Sequence, residues 1–453
     1  MSTPERLLDD AGMRDFIVKG YHSFKLDLPP DYHAFIHRRT EEVFAAQGNP
    51  GNNLLPLIPE LQQVLDHPRV HGTLASILGP EYSTHPHRHC HLNSPGSEGQ
   101  VLHKDARSTC HHRTRDAMVM YYPQDVTADM GPTSIVSESQ YHQTSLDGPL
   151  GPERPMCGEA GTVTILHYDL WHRAMPNHSS KKRFMMKFLF TRLEEPSAPS
   201  WDSAAAEWPT GEDGRQAMWE SMWRWYRGGR DCRRMEAVPQ EDMPVQMGLL
   251  RDESEAVRLQ AAYALGTLGT PAVPGLIAAL RAESAELRLS ASHALCAMGE
   301  PAVADLMEAS SDSREEVRVQ AIDTLGNMGR TARESVHVLA RALNDPSVEV
   351  RRRAAGALGT MNGAAAAAVL PALIGALADE DSGVRGSTSL TLARMGPAAG
   401  DALPALKAAL NDQDWYVRGN AAETLARLGT AEAREVLLKF LRTSRWCPLD
   451  ARG

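Results

Sequence analysis

From about residue 243 onward the chain repeats itself, and a repeat leaves few ways to fold. The pairs Val257-Arg258, Leu287-Arg288, Val317-Arg318, Val350-Arg351, Val384-Arg385 and Val417-Arg418 recur at intervals of 30, 30, 33, 34 and 33 residues. Each opens an alanine-rich stretch that ends at Gly269, Gly299, Gly329, Asn362-Gly363, Gly396 or Gly429. Such residues suit the left-handed position that stops a helix. A second apolar stretch follows, often opened by proline, as at Pro274, Pro371 and Pro404. A lone helical hairpin of this kind cannot bury its apolar side. Stacked units can, so about six of them predict an all-α solenoid over residues 243–445. The arginine of each pair is expected to brace the next repeat through a nearby carboxylate such as Asp345 or Asp412. The run Arg351-Arg-Arg353 reads first as such structural and solvated charge.

The first half, residues 1–235, has a different texture and holds 16 of the 18 histidines. Helical patterns over Pro30–Ala46 and Pro59–Leu78 precede alternating runs that read as strands: Tyr82–Asn93, Ala117–Tyr122, Gly161–His167 and Arg183–Thr191. In the last run Phe184, Met186, Phe188 and Phe190 share one face, and Arg183, Met185, Lys187 and Leu189 the other. Helices first and antiparallel-looking strands after predict a multidomain α+β chain, opening with a jelly roll buttressed by helices. The tryptophan-rich segment Trp201–Tyr226 reads as a packing helix that closes this domain. Arg227-Gly-Gly229 and Pro239 mark a linker.

At 453 residues the chain is too long for one core. Its net charge of −10 is shared equally by the two halves, which argues against nucleic acid as a partner. The polar start Met1-Ser-Thr-Pro-Glu-Arg6 gives no sign of a signal peptide, and the apolar run 364–377 is interrupted by Pro371. No membrane association is expected. Six scattered cysteines without close spacing read as reduced thiols in the cytoplasm.

Chemistry concentrates in Val101-Leu-His-Lys-Asp105 and Trp171-His172. A His-x-Asp pair and one distant histidine form the ligand set of non-haem Fe(II) oxygenases, with open positions left for cosubstrate and dioxygen. Residues two apart on a strand share a face, so His103 and Asp105 can reach one ion while Lys104 points away. His172 is preferred over nearby His178 as the third ligand. His85, His87, His89 and His91 alternate along one strand; they form either a second metal site or, the favoured reading, polar lining of the barrel mouth. His111 and His112 read as loop residues.

The resemblance carried by these motifs is specific. Phe16-Ile-Val-Lys-Gly-Tyr21, His91-Leu-Asn-Ser-Pro-Gly-Ser97, Gln100-Val-Leu-His-Lys-Asp105, Met130-Gly-Pro-Thr-Ser-Ile-Val136, Gly161-Thr-Val-Thr-Ile-Leu-His167 and Asp169-Leu-Trp-His-Arg-Ala-Met-Pro-Asn177 resemble the phytanoyl-CoA dioxygenase family. The later Val-Arg and Ala-Leu-Gly signatures resemble short HEAT repeats of the bacterial lyase-like type. The first resemblance implies a double-stranded β-helix, Fe(II) on His103, Asp105 and His172, and 2-oxoglutarate held at its far carboxylate by Arg183. It also implies that His91 and Asn93 touch cosubstrate or substrate. Family members often carry a hydroxyl residue two positions after the distal histidine. Ala174 stands there, so Thr162 or Thr164 is expected to assist Arg183. Asp105 argues against halogenation, which needs a small residue at that position. The implied reaction couples decarboxylation of 2-oxoglutarate to succinate with hydroxylation of an unactivated C–H bond by dioxygen. The implied substrate is a small molecule such as an acyl thioester, lipid or secondary metabolite. Two other readings stand beside it: a protein hydroxylase that recruits its substrate through the repeats, and a non-catalytic interaction scaffold.

Overall fold

The computed structural model describes residues 6–105, 112–143, 151–209, 215–229, 239–361 and 363–443. His111 and Asn362 lie outside this set. The described strands are β1 (Tyr21–Lys25), β2 (Tyr82–Asn93), β3 (Asp116–Tyr121), β4 (Thr133–Val136), β5 (Glu153–Pro155), β6 (Thr162–His167), β7 (His172–Ala174) and β8 (Arg183–Arg192). They form two antiparallel sheets, ordered β1-β6-β3-β8-β2 and β5-β4-β7. Strand alternation sorts the larger sheet into two environments. Phe184, Met186, Phe188, Phe190, Val119 and Tyr121 pack with the helices Asp10–Lys19, Pro30–Gln47 and Pro68–Leu78. Met118, Met120, Leu166 and Met185 turn the other way, toward Ile135 of the smaller sheet. Each of these buried side chains contributes about 2 kcal/mol through the water it sheds. A jelly roll with helical buttresses is the result.

Two helical segments of this domain depart from expectation. The helix expected over Pro59–Leu78 is broken: a short turn ends at Asp66, and a new helix starts at Pro68. His67, which precedes that proline, is extended with ψ 132° and caps the new helix through Nδ1 to the amide of Arg69. Among its described residues the tryptophan segment is helical only from Gln216 to Tyr226. Trp223 and Trp225 pack into the first core, where Leu259, Tyr263 and Ala297 of the repeats join them. The segment thus bonds the two regions as well as closing one.

The described residues beyond 243 form helices joined by turns, with one continuous apolar core running from Leu250 to Ala433. Pro274, Pro371 and Pro404 lie in the first turn of their helices, as expected. Gly269, Gly299, Gly329, Gly396 and Gly429 all have positive φ, but only Gly429 has the compact left-handed geometry. Gly363 departs from the pattern. Its repeat's first helix ends at Leu358, and Gly363 itself begins a short helix. Arginines brace the stack: Nε and Nη2 of Arg318, Arg351 and Arg385 grip Asp345, Asp379 and Asp412 at 2.7–3.1 Å. These bidentate pairs fix the rotation of one hairpin on the next.

The solenoid lies along the jelly-roll domain from end to end. Glu255 accepts from the amide of Gln143, and His112 stacks on His293 at 4.2 Å. Arg115 donates to Asn327, Arg394 to the carbonyl of Arg192, and Ser83 to Glu423 at 2.8 Å. No described helix is long and apolar enough to cross a membrane.

Candidate metal centre and cosubstrate site

His103 and His172 are brought together by their own backbones. Each amide donates to the other's carbonyl, at 3.0 and 2.9 Å, an antiparallel bridge that sets the two rings 4.7 Å apart. The expectation of a strand through 103–105 is corrected here. Only His103 bridges, and Asp105 sits on the bend after it. Lys104 does point away, donating to the carbonyl of His142 at 2.8 Å.

Each imidazole is oriented by its neighbour but one. Nδ1 of His103 donates to the Val101 carbonyl at 2.8 Å, and Nδ1 of His172 to that of Leu170 at 2.9 Å. A carbonyl only accepts, so the proton sits on Nδ1 and the Nε2 lone pairs are free to bind a cation. Both Nε2 atoms face Asp105, at 3.9 and 3.4 Å from its two carboxylate oxygens. Ligand atoms of His103, Asp105 and His172 all lie within 4.8 Å of one another, the one such cluster among the described residues. Burial opposes ionisation of Asp105, but His172 and Lys187 outweigh it and hold the carboxyl well below its ordinary range. The donor set fits a divalent cation with N/O preference.

Lys187, which the sequence pattern puts only on the face opposite the phenylalanines, turns inward. Its ammonium contacts Asp105, and it is 4% exposed. A lysine at an inward position of an otherwise apolar strand was the available signal. Two residues earlier along the same face than Met185, Arg183 is 1% exposed. Its Nε and Nη2 donate to the Gly131 carbonyl at 3.0 and 2.8 Å, while Nη1 is buried without a partner. An orphaned guanidinium N–H in that setting fits a ligand carboxylate.

Asn93, expected beside the cosubstrate, is itself anchored at its amide nitrogen. Both its amide hydrogens are taken, by the carbonyls of Gly131 (2.8 Å) and Met175 (2.9 Å), so it fixes the oxygen on which Arg183 rests. Gly131 has φ +65°, and a Cβ there would stand 2.3 Å from the Asn93 amide, so the close approach requires glycine. His91 pairs across the strands with Met185 and hydrogen-bonds His89, Nε2 to Nε2, at 2.7 Å. Burial, helped by the charges of Lys187 and Arg183, pushes His91 down to about 3, so it is neutral. Thr164 shares the inner sheet face, but its hydroxyl bonds Ser23 at 3.0 Å; Thr162's hydroxyl donates to Glu159. Neither is recorded in contact with Arg183. The histidine strand is not a second metal cluster among the described residues. A bulge between Thr84 and Arg88 breaks its alternation and turns His85 onto Tyr416 of the solenoid. His178 is exposed and outside the triad.

Two imidazoles and a carboxylate on a jelly roll define the non-haem iron oxygenase class of site. Residues 34–185 match the phytanoyl-CoA dioxygenase (PhyH) family, and residues 244–313, 303–388 and 370–447 match HEAT repeats. The chain thus carries a PhyH-family Fe(II)/2-oxoglutarate-dependent oxygenase domain, with His103, Asp105 and His172 as candidate triad, followed by HEAT repeats. Similar solved structures include the non-heme alpha-ketoglutarate-dependent carbocyclase SnoK from nogalamycin biosynthesis, 17% identical, covering 42% of this chain and 88% of its own, TM-score 0.35. AviO1 from Streptomyces viridochromogenes Tue57 is 15% identical, covering 42% and 96%, TM-score 0.35. Apo HygX from Streptomyces hygroscopicus is 11% identical, covering 41% and 87%, TM-score 0.34. No curated protein sequence matches the chain.

Proposed function

We propose that the chain hydroxylates an unactivated C–H bond of a small molecule, with residues 1–235 as the catalytic unit and 243–445 as its solenoid. The observation that carries this reading is the triad, whose imidazoles are locked by backbone carbonyls with both Nε2 atoms turned to Asp105. In this reading His103, Asp105 and His172 hold Fe(II). Arg183 takes the far carboxylate of 2-oxoglutarate on Nη1, and Asn93 steadies the Gly131 carbonyl behind it. His91, neutral and on the same inner face, flanks the cosubstrate; Thr164 lines the wall farther off, tied to Ser23. When bound, the metal with 2-oxoglutarate and dioxygen supplies the oxidising chemistry that ends in succinate and an alcohol. The protein's part is to orient the ligands, keep Arg183 and Lys187 dry, and aim one bond at the centre.

Recruitment of a protein substrate by the repeats is disfavoured by the contacts already made, since repeats from Glu255 to Arg427 spend side chains on the oxygenase domain. The scaffold reading is disfavoured by the complete ligand set. The free thiols of Cys90, Cys157 and Cys296 accord with a cytoplasmic location. An anaerobic titration of Fe(II) and 2-oxoglutarate, followed by visible absorbance, tests the function. A charge-transfer band is expected in the wild type and its complete loss in His172→Ala; a wild type without the band would remove the enzymatic reading.

A further inference from the structure

Between the jelly roll and the last repeat lies a cleft of 1470 Å³, above the roughly 300–1,000 Å³ usual for small-ligand sites. One wall is the bulged edge strand β2, with His85, His87 and His89; the other is built from Trp415, Tyr416 and Arg418 of the Trp415–Leu428 helix and Phe440 beyond it. The walls are held in register. Pro86, at the bulge, sits against Gly419, where a Cβ would approach it to 2.6 Å. Behind this wall stands the triad, which does not itself line the cleft: His89 pairs across the strands with Lys187, whose ammonium contacts Asp105.

Two arginines line it, Arg88 and Arg418, and Arg88 is turned onto Asn52, its Nε donating to that residue's carbonyl at 3.3 Å. Arg418 keeps the position of the other bracing arginines, with Nη1 donating to the carbonyls of Asp412 (2.7 Å) and Gln413 (3.0 Å). In Arg318, Arg351 and Arg385, Nε and Nη2 grip the aspartate of the next repeat. Arg418 belongs to the last repeat, and among the described residues that edge of its guanidinium has no carboxylate. Of the acids in the lining, Asp412 is clasped by Arg385, while Glu423 accepts from the Ser83 hydroxyl and keeps its charge. Trp415, 44% exposed, offers an apolar plane beside it.

We propose that this cleft is the substrate site, and that it takes an organic anion whose charged group pairs with Arg418 and whose flat apolar body lies against Trp415 and Tyr416. The reacting end then passes His87 and His89 toward the triad. The inference rests on the oxygenase reading for the direction in which the substrate points, while the anion site stands on Arg418 alone. A guanidinium edge matches carboxylate, sulfonate or phosphate oxygens, and aromatic side chains supply area at low entropic cost.

The test uses the full chain and two fluorescent probes: 8-anilinonaphthalene-1-sulfonate, an aromatic anion, and uncharged N-phenyl-1-naphthylamine. Arg418→Gln is expected to weaken the sulfonate about ten-fold and leave the neutral probe unchanged. Arg258→Gln, the same bracing position away from the cleft, should change neither, and Trp415→Ala should weaken both. Equal sulfonate affinity in wild type and Arg418→Gln would overturn the anion site. Co(II) bound at the triad should quench the cleft-bound probe in the wild type and not in His172→Ala. Co(II) binding without quenching would detach the cleft from the metal centre. If the wild type binds no Co(II), the oxygenase reading fails, and the Arg418 dependence still decides the anion site.

Discussion

The two regions of this molecule bury different things. The solenoid core is aliphatic from Leu250 to Ala433, and its charges stay at the rim in arginine–aspartate clasps. The jelly roll carries charge on its inner face, with Arg183 and Lys187 almost fully buried. A buried ion is retained at a cost and only with partners, so the contrast separates a core built to be stable from a core built to bind. It also locates the chemistry without reference to any relative.

Substitutions that strike one region should spare the other, and the largest effect is expected in the solenoid. Leu325 is fully buried, and Leu325→Ala should cost about 3 kcal/mol in urea unfolding while Co(II) affinity at the triad stays unchanged. A fall in Co(II) affinity would mean that the repeats shape the metal site through the interface. Next comes Arg183→Gln, expected to weaken 2-oxoglutarate about a hundred-fold, on the order of 2.7 kcal/mol, in the anaerobic titration with metal binding intact. Unaltered cosubstrate affinity would move the carboxylate to another cation, with Lys187 the first choice.

The smallest effect tests the seam itself. Burial pushes His293 down to about 4, with Glu255 opposing, and its ring stacks on His112, which bonds Tyr263. Unfolded, a histidine titrates near about 6.5. Between those values the unfolded chain takes up a proton that the folded one refuses. Stability present above pH 6.5 is therefore lost as pH falls toward 4. Urea midpoints at pH 7 and pH 5 should differ less in His293→Gln than in the wild type; an identical difference would show that acid acts elsewhere.

How much could be read in advance follows the same division. Helical repeats are local, so Val-Arg spacing marks where first helices run, while the terminal glycines take positive φ with the expected left-handed cap only at Gly429, and Gly363 begins a helix instead. The strand β8 was legible because four phenylalanine and methionine side chains alternate within it. β4, β5 and β7, at four, three and three residues, are too short to show a period. The triad was visible as residue types at a spacing, and its ligands do converge. What brings them together was not visible, since a backbone bridge between positions 103 and 172 leaves no mark on either side chain. The Asp105–Lys187 pair, the shared Gly131 carbonyl and the cleft over Trp415 depend likewise on contacts between distant segments.

The bridge between His103 and His172 has a practical meaning. Because two main-chain hydrogen bonds already set the imidazoles side by side, the jelly roll should reach its final shape before it takes a metal. Iron then becomes a late and exchangeable arrival, loaded onto a finished protein and replaceable after oxidation without refolding.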